Sequence, residues 1–458
     1  MSPTARRSLV SRTAEEIRQQ IQSGALSAGT RLPSVRQLAR ERHISPFSAA
    51  EIYNALVAAA VLEARPGLGY FVPQRLRLAP LSTGGSEFPA DSVWERRREA
   101  SGRKIQVDAG CGWLPEHWLY GEGIREALRA VARHAPLRLE GYGSPLGLPA
   151  LRAHIAKLLE LRGIGAREDQ IVLTQGASQA LDLVVRELLT PGDVAIVEDP
   201  GYPPLFELLR YRGVQMLCVP RTADGPDVQL LARLLKRQRV RCLFTNTTFH
   251  NPTGTSTALT SAQRMVELAD RHDLTIVEDD IFADLAEHAP VSLASLDGLR
   301  RVLYISSFSK TLSPTLRAGY LAAPRAIAQR LARAKVMTCL GSSELLEQLV
   351  LEILTGPRYR RHLKRLREQL AQAQLRAVSA LESRGVELAH RPQSGLFLWA
   401  KLPSSDSVSK LWRRALSHDV LLAPGELFRP DARATAHWRF NVAQCEAPAL
   451  HQFLDELA

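Results

Sequence analysis

Paired cysteines, long apolar runs and lysines are scarce in this 458-residue sequence. The five cysteines form no CxxC pair and are odd in number, which excludes a disulfide-stapled scaffold and predicts buried thiols in a reducing cytoplasm. The longest strongly apolar run, Ala55 to Leu62, is far shorter than the ~20 residues of a membrane helix. The N-terminal segment lacks the apolar core of a signal peptide. We therefore expect a cytoplasmic chain that does not enter a membrane.

Most of the positive charge comes from arginine, since only eight of the 59 basic residues are lysines. The net charge of +12 suggests a polyanionic partner, although a chain of this size can carry such an excess without one. Hydrophobic residues make up 45% of the chain and charged residues 23%, which excludes a chain disordered throughout. Because lysines are so few, a lysine among side chains that could bind a ligand is conspicuous in this chain.

The sequence divides into three stretches of different composition. Residues 1–73 carry an excess of arginine over glutamate, with nine Arg against five Glu. Residues 74–104 are rich in Pro, Ser, Gly and charge, and this composition predicts a linker. Residues 105–458 alternate short apolar runs with amphipathic helical patterns, which predicts an α/β domain with a parallel sheet.

The first stretch has the pattern of three short helices followed by a hairpin. Residues 9–23 predict one helix, and Ser34 with Gln37 forms an S-x-x-Q capping box at the start of a second. Ser45 and Pro46 suit the N-cap and first position of a third helix. The segment LEARPGLGYFV predicts two strands around a Pro-Gly turn, which completes a winged helix-turn-helix. Such a unit places its third helix in the major groove of DNA; a small helical adaptor with a basic face is the alternative.

Residues 9–72 resemble the DNA-binding domain of the GntR family, in the segments SGALSAGTRLPSVRQLA and LEARPGLGYFV. That family binds operators as dimers. The resemblance implies DNA contacts from the second helix, the first residues of the third helix and the wing, namely Arg36, Ser45, Phe47, Ser48, Gly67 and Gly69. The family usually has an arginine directly after the serine that opens the third helix. Pro46 stands there in this chain and provides no guanidinium group.

A lysine follows one of the predicted strands in the segment VLYISSFSKTLSPTLRAGY. The apolar residues 302–305 lead into three serines and Lys310, and Arg317 follows seven residues later. A lysine amine can form an imine with an aldehyde, while hydroxyl groups and a guanidinium bind a phosphate dianion. A surface lysine in a polar turn is the alternative.

Four further segments place polar groups at predicted strand ends and turns. Ala177 and Ser178 open a helix after a glycine, where unpaired N–H groups favour a phosphate. Asp279 follows an apolar strand, where a carboxylate can pair with a protonated ring nitrogen. Asn251 precedes a Pro-Thr-Gly turn, and Arg439 lies near a strand, where it can bind a carboxylate in bidentate fashion. Each of these residues has an ordinary structural alternative. Ala177 and Ser178 also fit a simple turn from strand to helix, and Asp279 a helix cap. Asn251 also fits a turn, and Arg439 a charged surface.

Together and in this order, the segments resemble those of the fold-type I aminotransferases, the pyridoxal-phosphate enzymes of the aspartate aminotransferase family, over residues 106–458. The resemblance implies that Lys310 binds the cofactor aldehyde covalently and that Asp279 pairs with the pyridine nitrogen. It implies that Asn251 bonds the 3-oxygen and that Tyr202 stacks on the ring. Phosphate contacts are implied for Ala177, Ser178, Ser307 and Arg317.

The same resemblance implies a carboxylate site and a shared dimer. Arg439 would bind the α-carboxylate of an amino acid, and Tyr142 would reach the phosphate of a neighbouring subunit, which implies a homodimer. A large part over about 141–324 would contain a mostly parallel sheet with helices on both faces, and the flanking segments would form a smaller α+β part. Where the family commonly has a tyrosine that bonds the 3-oxygen, this chain has Phe282. This departure predicts a higher proton affinity of the lysine–cofactor linkage and disfavours fast transamination.

The joined architecture resembles the MocR subgroup of GntR regulators. The predicted function is a transcriptional regulator that binds double-stranded DNA and senses pyridoxal 5'-phosphate, an amino acid or an amine through its aminotransferase-like domain. A working aminotransferase with a DNA-binding appendage is the alternative, and a bifunctional protein is the third possibility. No metal site is predicted, and the operator, the effector and the sign of regulation cannot be assigned from the residues.

Overall fold

The computed structural model describes residues 13–21, 26, 29–58, 61–65, 68–72, 105–134, 141–287 and 291–457. The chain divides into two compact units, residues 1–78 and 79–458. The predicted linker over 74–104 lies outside the described residues, so the domain boundaries given above stay a prediction.

The smaller unit is a winged helix-turn-helix, as predicted from the sequence. It contains the helices α1 (13–21), α2 (Val35–Glu41) and α3 (Pro46–Ala58), followed by an antiparallel hairpin of β1 (Glu63–Arg65) and β2 (Gly69–Phe71).

Apolar side chains from the helices and the hairpin form one core in this unit. Ile17, Leu38, Ile52 and Leu56 are buried in it, and Val72 closes it at the end of the hairpin. Each helix therefore turns one apolar side inward, which is the arrangement that stabilises short helices of this length.

The caps of α2 and α3 agree with the sequence pattern in part. Ser34 Oγ accepts a hydrogen bond from the Gln37 N–H at 3.2 Å. The Gln37 side chain instead donates to Glu41 at 3.0 Å, so it does not close the reciprocal half of the predicted capping box. The reason is that Glu41 lies one turn further along the same helix face. Ser45 Oγ accepts from the Ser48 N–H at 3.1 Å and caps α3 as predicted.

The larger unit alternates strands and helices along the chain. Its strands are β3 (Val107–Asp108), β4 (Ile171–Thr174), β5 (Val194–Asp199), β6 (Gln215–Thr222), β7 (Gly225–Pro226), β8 (Cys242–Thr245), β9 (Thr275–Asp279), β10 (Val302–Ser307), β11 (Gly319–Ala322), β12 (Glu387–Leu388), β13 (Phe397–Lys401), β14 (Val420–Leu421), β15 (Ala423–Pro424) and β16 (His437–Asn441). Its helices are α4 (Gly121–His134), α5 (Pro149–Glu160), α6 (Ala177–Leu188), α7 (Pro203–Tyr211), α8 (Val228–Arg237), α9 (Leu259–His272), α10 (Leu293–Asp297), α11 (Arg325–Cys339), α12 (Glu344–Thr355), α13 (Pro357–Glu382), α14 (Val408–Ser417) and α15 (Pro448–Asp455).

An eight-stranded sheet lies at the centre of the larger unit, in the order β4–β11–β10–β9–β8–β5–β6–β7. Neighbouring strands from β10 to β6 are parallel, whereas β11 is antiparallel to β10 and β4. Every side chain of β10 is buried, as expected for a strand covered on both faces. The mostly parallel α/β fold predicted from the alternating pattern is therefore confirmed.

The segments on either side of this sheet form a second module. Strand β3 pairs in parallel with β14, and a four-stranded sheet has the order β12–β13–β16–β15. One core joins Val107 and Trp118, which precede the central sheet in the chain, to Leu370, Trp412 and Phe440, which follow it. Through Arg439 on β16, this module contacts Asn251 in the loop after β8 of the central sheet.

The helices and the cysteines of the described residues bear on the membrane and cysteine expectations. Within the described ranges, no helix combines the length and the apolar character needed to cross a bilayer. All five cysteines lie in these ranges as free thiols, three of them buried and two half-buried.

Candidate functional site

The carboxyl ends of four adjacent parallel strands meet at one edge of the central sheet. Strands β5, β8, β9 and β10 are neighbours, so the loops that follow them carry their side chains into one region. Open α/β sheets bind their ligands at this edge. A recess opens there, lined in part by Tyr202, Asn246, Asn251 and Asp279.

Asp279 is the last residue of β9, the strand that the sequence predicts directly before it. Its Oδ1 atom is buried and accepts no hydrogen bond from the residues that the structure describes. Burial and the neighbouring Asp280 raise the pKa of Asp279 to about 7. A buried carboxylate oxygen without a donor is costly, so this atom is suited to pair with a protonated N–H of a ligand.

Lys310 lies in the loop after β10. Its Nζ donates to the Gly112 carbonyl oxygen at 2.6 Å and lies 6.0 Å from the centre of the Phe282 ring. Burial, reinforced by the positive charge of Arg439, lowers the pKa of Lys310 to about 8. A substantial fraction of the amine is therefore neutral and nucleophilic near physiological pH.

Tyr202 and Asn251 both line the recess. The Tyr202 hydroxyl is hydrogen-bonded to Ser178, and burial raises the pKa of this tyrosine. The Asn251 Oδ1 accepts from Arg439 Nη1 at 2.7 Å, which leaves the amide nitrogen as a donor toward a ligand. An aromatic side chain and an amide donor thus line the same recess as Asp279.

The start of α6 brings backbone N–H groups close to Arg317. Gly176 precedes the helix with φ +79°, and a Cβ atom built there would lie 2.9 Å from Arg317 Nη2. Ala177 and Ser178 are the first residues of α6, where backbone N–H groups lack helical partners. Arg317 is exposed and donates to the Gln175 carbonyl oxygen at 3.0 Å. These groups together suit a phosphate.

Ser307 is the last residue of β10 and begins the loop that carries Lys310. Its Oγ lies 2.9 Å from Ser309 Oγ and 3.1 Å from the Ala318 carbonyl oxygen. A Cβ atom built on Gly319, the β11 residue that pairs with Ser307, would lie 2.8 Å from the Gly176 backbone. The structure therefore brings the serine loop and the start of α6 together.

Arg439 lies on β16 with its guanidinium clamped in the site. Its Nη2 donates to the Gly110 carbonyl oxygen at 2.5 Å. The guanidinium carbon lies 4.7 Å from the Phe397 ring centre and 4.6 Å from that of Phe428. Two aromatic faces fix the plane of the side chain, which prepares it for bidentate binding of a carboxylate.

A buried polar network supports the site, and sequence reasoning missed it. Glu198 accepts from Arg221 Nη1 at 2.6 Å and from the Asn246 N–H at 2.9 Å, and its Oε2 lies 3.2 Å from His250 Nε2. The surrounding donors and positive charges outweigh burial and hold the pKa of Glu198 at about 2. Its only sequence signal is an acidic residue late in an apolar strand, which is too common to single it out.

Asn246 connects this network to the ligand-facing residues. Its Nδ2 donates to the Asp279 carbonyl oxygen at 2.7 Å, and its Oδ1 accepts from the Asn251 N–H at 2.8 Å. The asparagine therefore fixes the spacing between the carboxylate and the amide that face the recess.

One predicted site residue lies apart from the others in this single chain. The Tyr142 side chain is 84% exposed. The adjacent Gly143 lies against Ser342 and Glu344, outside the recess. Its implied role in a neighbouring subunit stays a prediction.

The predicted DNA-contact residues of the smaller unit differ in exposure. Arg36 is exposed on α2, and Phe47 is 69% exposed on α3. Ser48 is buried and its hydroxyl lies 3.0 Å from Ser45 Oγ, so it does not face DNA as expected. The pair holds the N-terminus of α3 together. Gly69 begins β2 with φ +110°, and Gly67 lies outside the described residues.

Comparisons with known proteins agree with both units. The family model for aminotransferase class I and II matches residues 119–457. The model for bacterial regulatory proteins of the gntR family matches residues 9–72.

Two relatives match along nearly the whole of this chain. The uncharacterized HTH-type transcriptional regulator YdcR of Escherichia coli K12 is 31% identical over 94% of this chain and 94% of its own length. The probable rhizopine catabolism regulatory protein MocR of Rhizobium meliloti is 28% identical over 90% of this chain and 85% of its own length.

Among solved structures, LysN, the α-aminoadipate aminotransferase of Thermus thermophilus, is 30% identical with a TM-score of 0.71. The match covers 79% of this chain and 93% of LysN, which was crystallised with N-(5'-phosphopyridoxyl)-L-leucine. The chain therefore belongs to the aminotransferase class I and II family, and it is a GntR-type transcriptional regulator with an aminotransferase-like domain, of the kind that includes MocR.

Proposed function

We propose that this regulator binds pyridoxal 5'-phosphate in its aminotransferase-like domain and that the bound cofactor controls DNA binding by its N-terminal domain. The observation that carries the proposal is the buried Asp279 Oδ1, which no described residue satisfies and which lies in the same site as Lys310. A protonated ring nitrogen would supply the missing donor.

Residues of the recess and of the loops around it would hold the cofactor by its separate functional groups. Lys310 would bind the aldehyde, Asp279 the ring nitrogen and the Asn251 amide nitrogen the 3-oxygen, while Tyr202 would cover a ring face. The phosphate would be bound by Ala177, Ser178, Ser307 and Arg317. When bound, pyridoxal phosphate withdraws electrons from the α-carbon of an amino compound.

The effector is an amino compound that carries a carboxylate. Arg439 is held between two phenylalanine rings and donates to Asn251 Oδ1 and to the Gly110 carbonyl oxygen. A ligand carboxylate is a stronger acceptor than an amide or carbonyl oxygen, so it would take over these donors. An amine without a carboxylate would lack this interaction.

The regulator acts as a homodimer. Tyr142 is 84% exposed, and Met337 on α11 is 80% exposed, in a unit where most large apolar side chains are buried. Leu340 and Leu345 are exposed in the segment that Gly143 contacts. A second copy of the chain would cover these apolar side chains.

Linkage between the ligand site and DNA follows from differential binding. A ligand shifts an equilibrium between two dimer arrangements only by its difference in affinity for them. If the two arrangements space the DNA-binding domains differently, binding of cofactor or effector changes the affinity of the protein for its operator. By linkage, binding of DNA changes the affinity of the protein for cofactor and effector by the same factor. A regulator of chromosomal DNA performs this function in the cytoplasm.

Transamination is a second candidate activity, which the position of Lys310 favours. Its pKa of about 8 makes it a suitable base for an α-proton near neutral pH. Phe282 provides no hydroxyl where the family commonly has one. Sustained turnover with a panel of amino donors, together with no footprint on DNA upstream of the gene, would favour catalysis over regulation.

The cofactor proposal is tested by incubating purified full-length protein with pyridoxal 5'-phosphate, reducing it with borohydride and mapping the modified peptide. We expect visible absorbance before reduction and modification at Lys310, and neither in Lys310→Ala. Lys401→Ala, which removes an exposed lysine paired with Glu387, is the matched control and should behave as wild type. A colourless wild type, or equal modification in Lys310→Ala, would overturn the proposal.

A further inference from the structure

The outward face of α3 has an unusual composition for a helix that reads DNA. Ile52, Tyr53 and Leu56 are buried in the core of the unit, whereas Phe47 and Glu51 are exposed. The thirteen residues of α3, PFSAAEIYNALVA, contain neither lysine nor arginine. This helix therefore cannot select guanine by the guanidinium or ammonium contacts that are commonest in major grooves.

Among residues 45–49, Phe47 presents the largest apolar side chain to the surface. Ser45 and Ser48 bond to each other through their hydroxyls, and Ser48 and Ala49 are buried. Phe47 is 69% exposed and lies outside the apolar core that the described residues of this unit form. A single exposed apolar residue is common on protein surfaces, so its meaning comes from its place in the first turn of the DNA-reading helix.

The 5-methyl group of thymine is the apolar group that the major groove offers. We propose that Phe47 contacts this methyl group and makes thymine the base selected opposite the N-terminus of α3. This inference rests on DNA binding by the N-terminal domain, and it assigns sequence selection to an apolar contact. Exposed Arg36 and Arg40 on α2 would supply the phosphate contacts, which position a protein without selecting a base.

Because the operator is unidentified, the experiment starts from a synthetic duplex library with a randomised core. Full-length wild type and Phe47→Ala each select their preferred duplexes, and the thymines preferred by wild type alone are then replaced by deoxyuridine. Deoxyuridine pairs as thymine does and lacks only the methyl group. Burial of one methyl group corresponds to about a fourfold change in affinity.

We expect deoxyuridine to weaken wild-type binding about fourfold for each contacted thymine and to leave Phe47→Ala unaffected. Phe47→Leu keeps an apolar side chain and should keep the thymine preference. Tyr211→Ala removes an exposed aromatic side chain from α7 of the other unit and serves as the matched control. It should respond to deoxyuridine as wild type does.

The outcomes separate this inference from the proposed function. Equal deoxyuridine effects in wild type and Phe47→Ala, or selected sites without a thymine that depends on Phe47, would overturn the inference alone. A wild type that selects no duplex from the library would contradict DNA recognition itself.

Discussion

Replacing Asp279 by asparagine should stabilise the cofactor-free protein at neutral and alkaline pH. Burial and the neighbouring Asp280 raise the pKa of this carboxyl from its ordinary 3.8 to about 7. The difference corresponds to about 4 kcal/mol of unfolding free energy at ~1.36 kcal/mol per pKa unit. Asparagine has nearly the same shape and carries no charge, so the variant avoids this penalty.

The direction in which the stability of the wild type changes with pH follows from the protonation of Asp279 in the folded and unfolded chains. Below about pH 3.8 the carboxyl is protonated in both states and the charge penalty vanishes. Between that pH and about 7 the unfolded chain ionises first, so the wild type loses stability as pH rises. Above about pH 7 the full penalty applies.

The assay is urea unfolding of cofactor-free wild type and Asp279→Asn between pH 4 and pH 8. We expect the two to converge at the acidic end and the variant to be more stable by up to about 4 kcal/mol at the alkaline end. Asp297→Asn is the matched control, because this buried carboxylate accepts from the Arg301 and Val302 N–H groups and its loss should destabilise the fold. An Asp279→Asn effect that is destabilising at pH 8, or independent of pH, would refute the reasoning.

Three further substitutions test other parts of the site. Phe282→Tyr places a hydroxyl near Lys310 and should lower the pH midpoint of the visible absorbance of the cofactor-loaded protein by about one unit or more; an unchanged midpoint would contradict this. Arg439→Lys loses bidentate geometry and should weaken carboxylate effectors at least about tenfold in a spectral titration, with no change for simple amines. Glu198→Ala leaves the Arg221 guanidinium buried without its carboxylate and should cost about 3–5 kcal/mol in urea unfolding; a loss under about 1 kcal/mol would contradict that role.

The sequence predicted those site residues that follow strands of the central sheet. Lys310 and Asp279 could be found because apolar strands mark where the chain reaches the ligand-binding edge, and parallel neighbours share that edge. Ser34 and Ser45 could be found because capping is local to one helix start.

Features that depend on distant parts of the chain could not be found in this way. Arg439 is clamped by Phe397 and Phe428, and nothing near it in the sequence indicates either ring. Asn246 accepts from Asn251 within the loop after β8 and donates to Asp279 at the end of β9, more than thirty residues away in the chain. Such contacts follow from the order of strands in the sheet, which the alternating pattern does not specify.

Burial of small polar residues was equally hard to predict. Ser48 lies in the first turn of α3 and was expected to face DNA, yet its hydroxyl is used to bond Ser45. A serine one turn inside a helix fits both the cap and the surface, and only packing decides between them.

The decisive measurement is the affinity of the full-length protein for a library-selected duplex, with and without pyridoxal 5'-phosphate, in wild type and Lys310→Ala. A cofactor-responsive regulator should show a change in affinity or footprint for wild type and none for Lys310→Ala. Identical binding by wild type under both conditions, or the same cofactor effect in Lys310→Ala, would contradict control of DNA binding through this site.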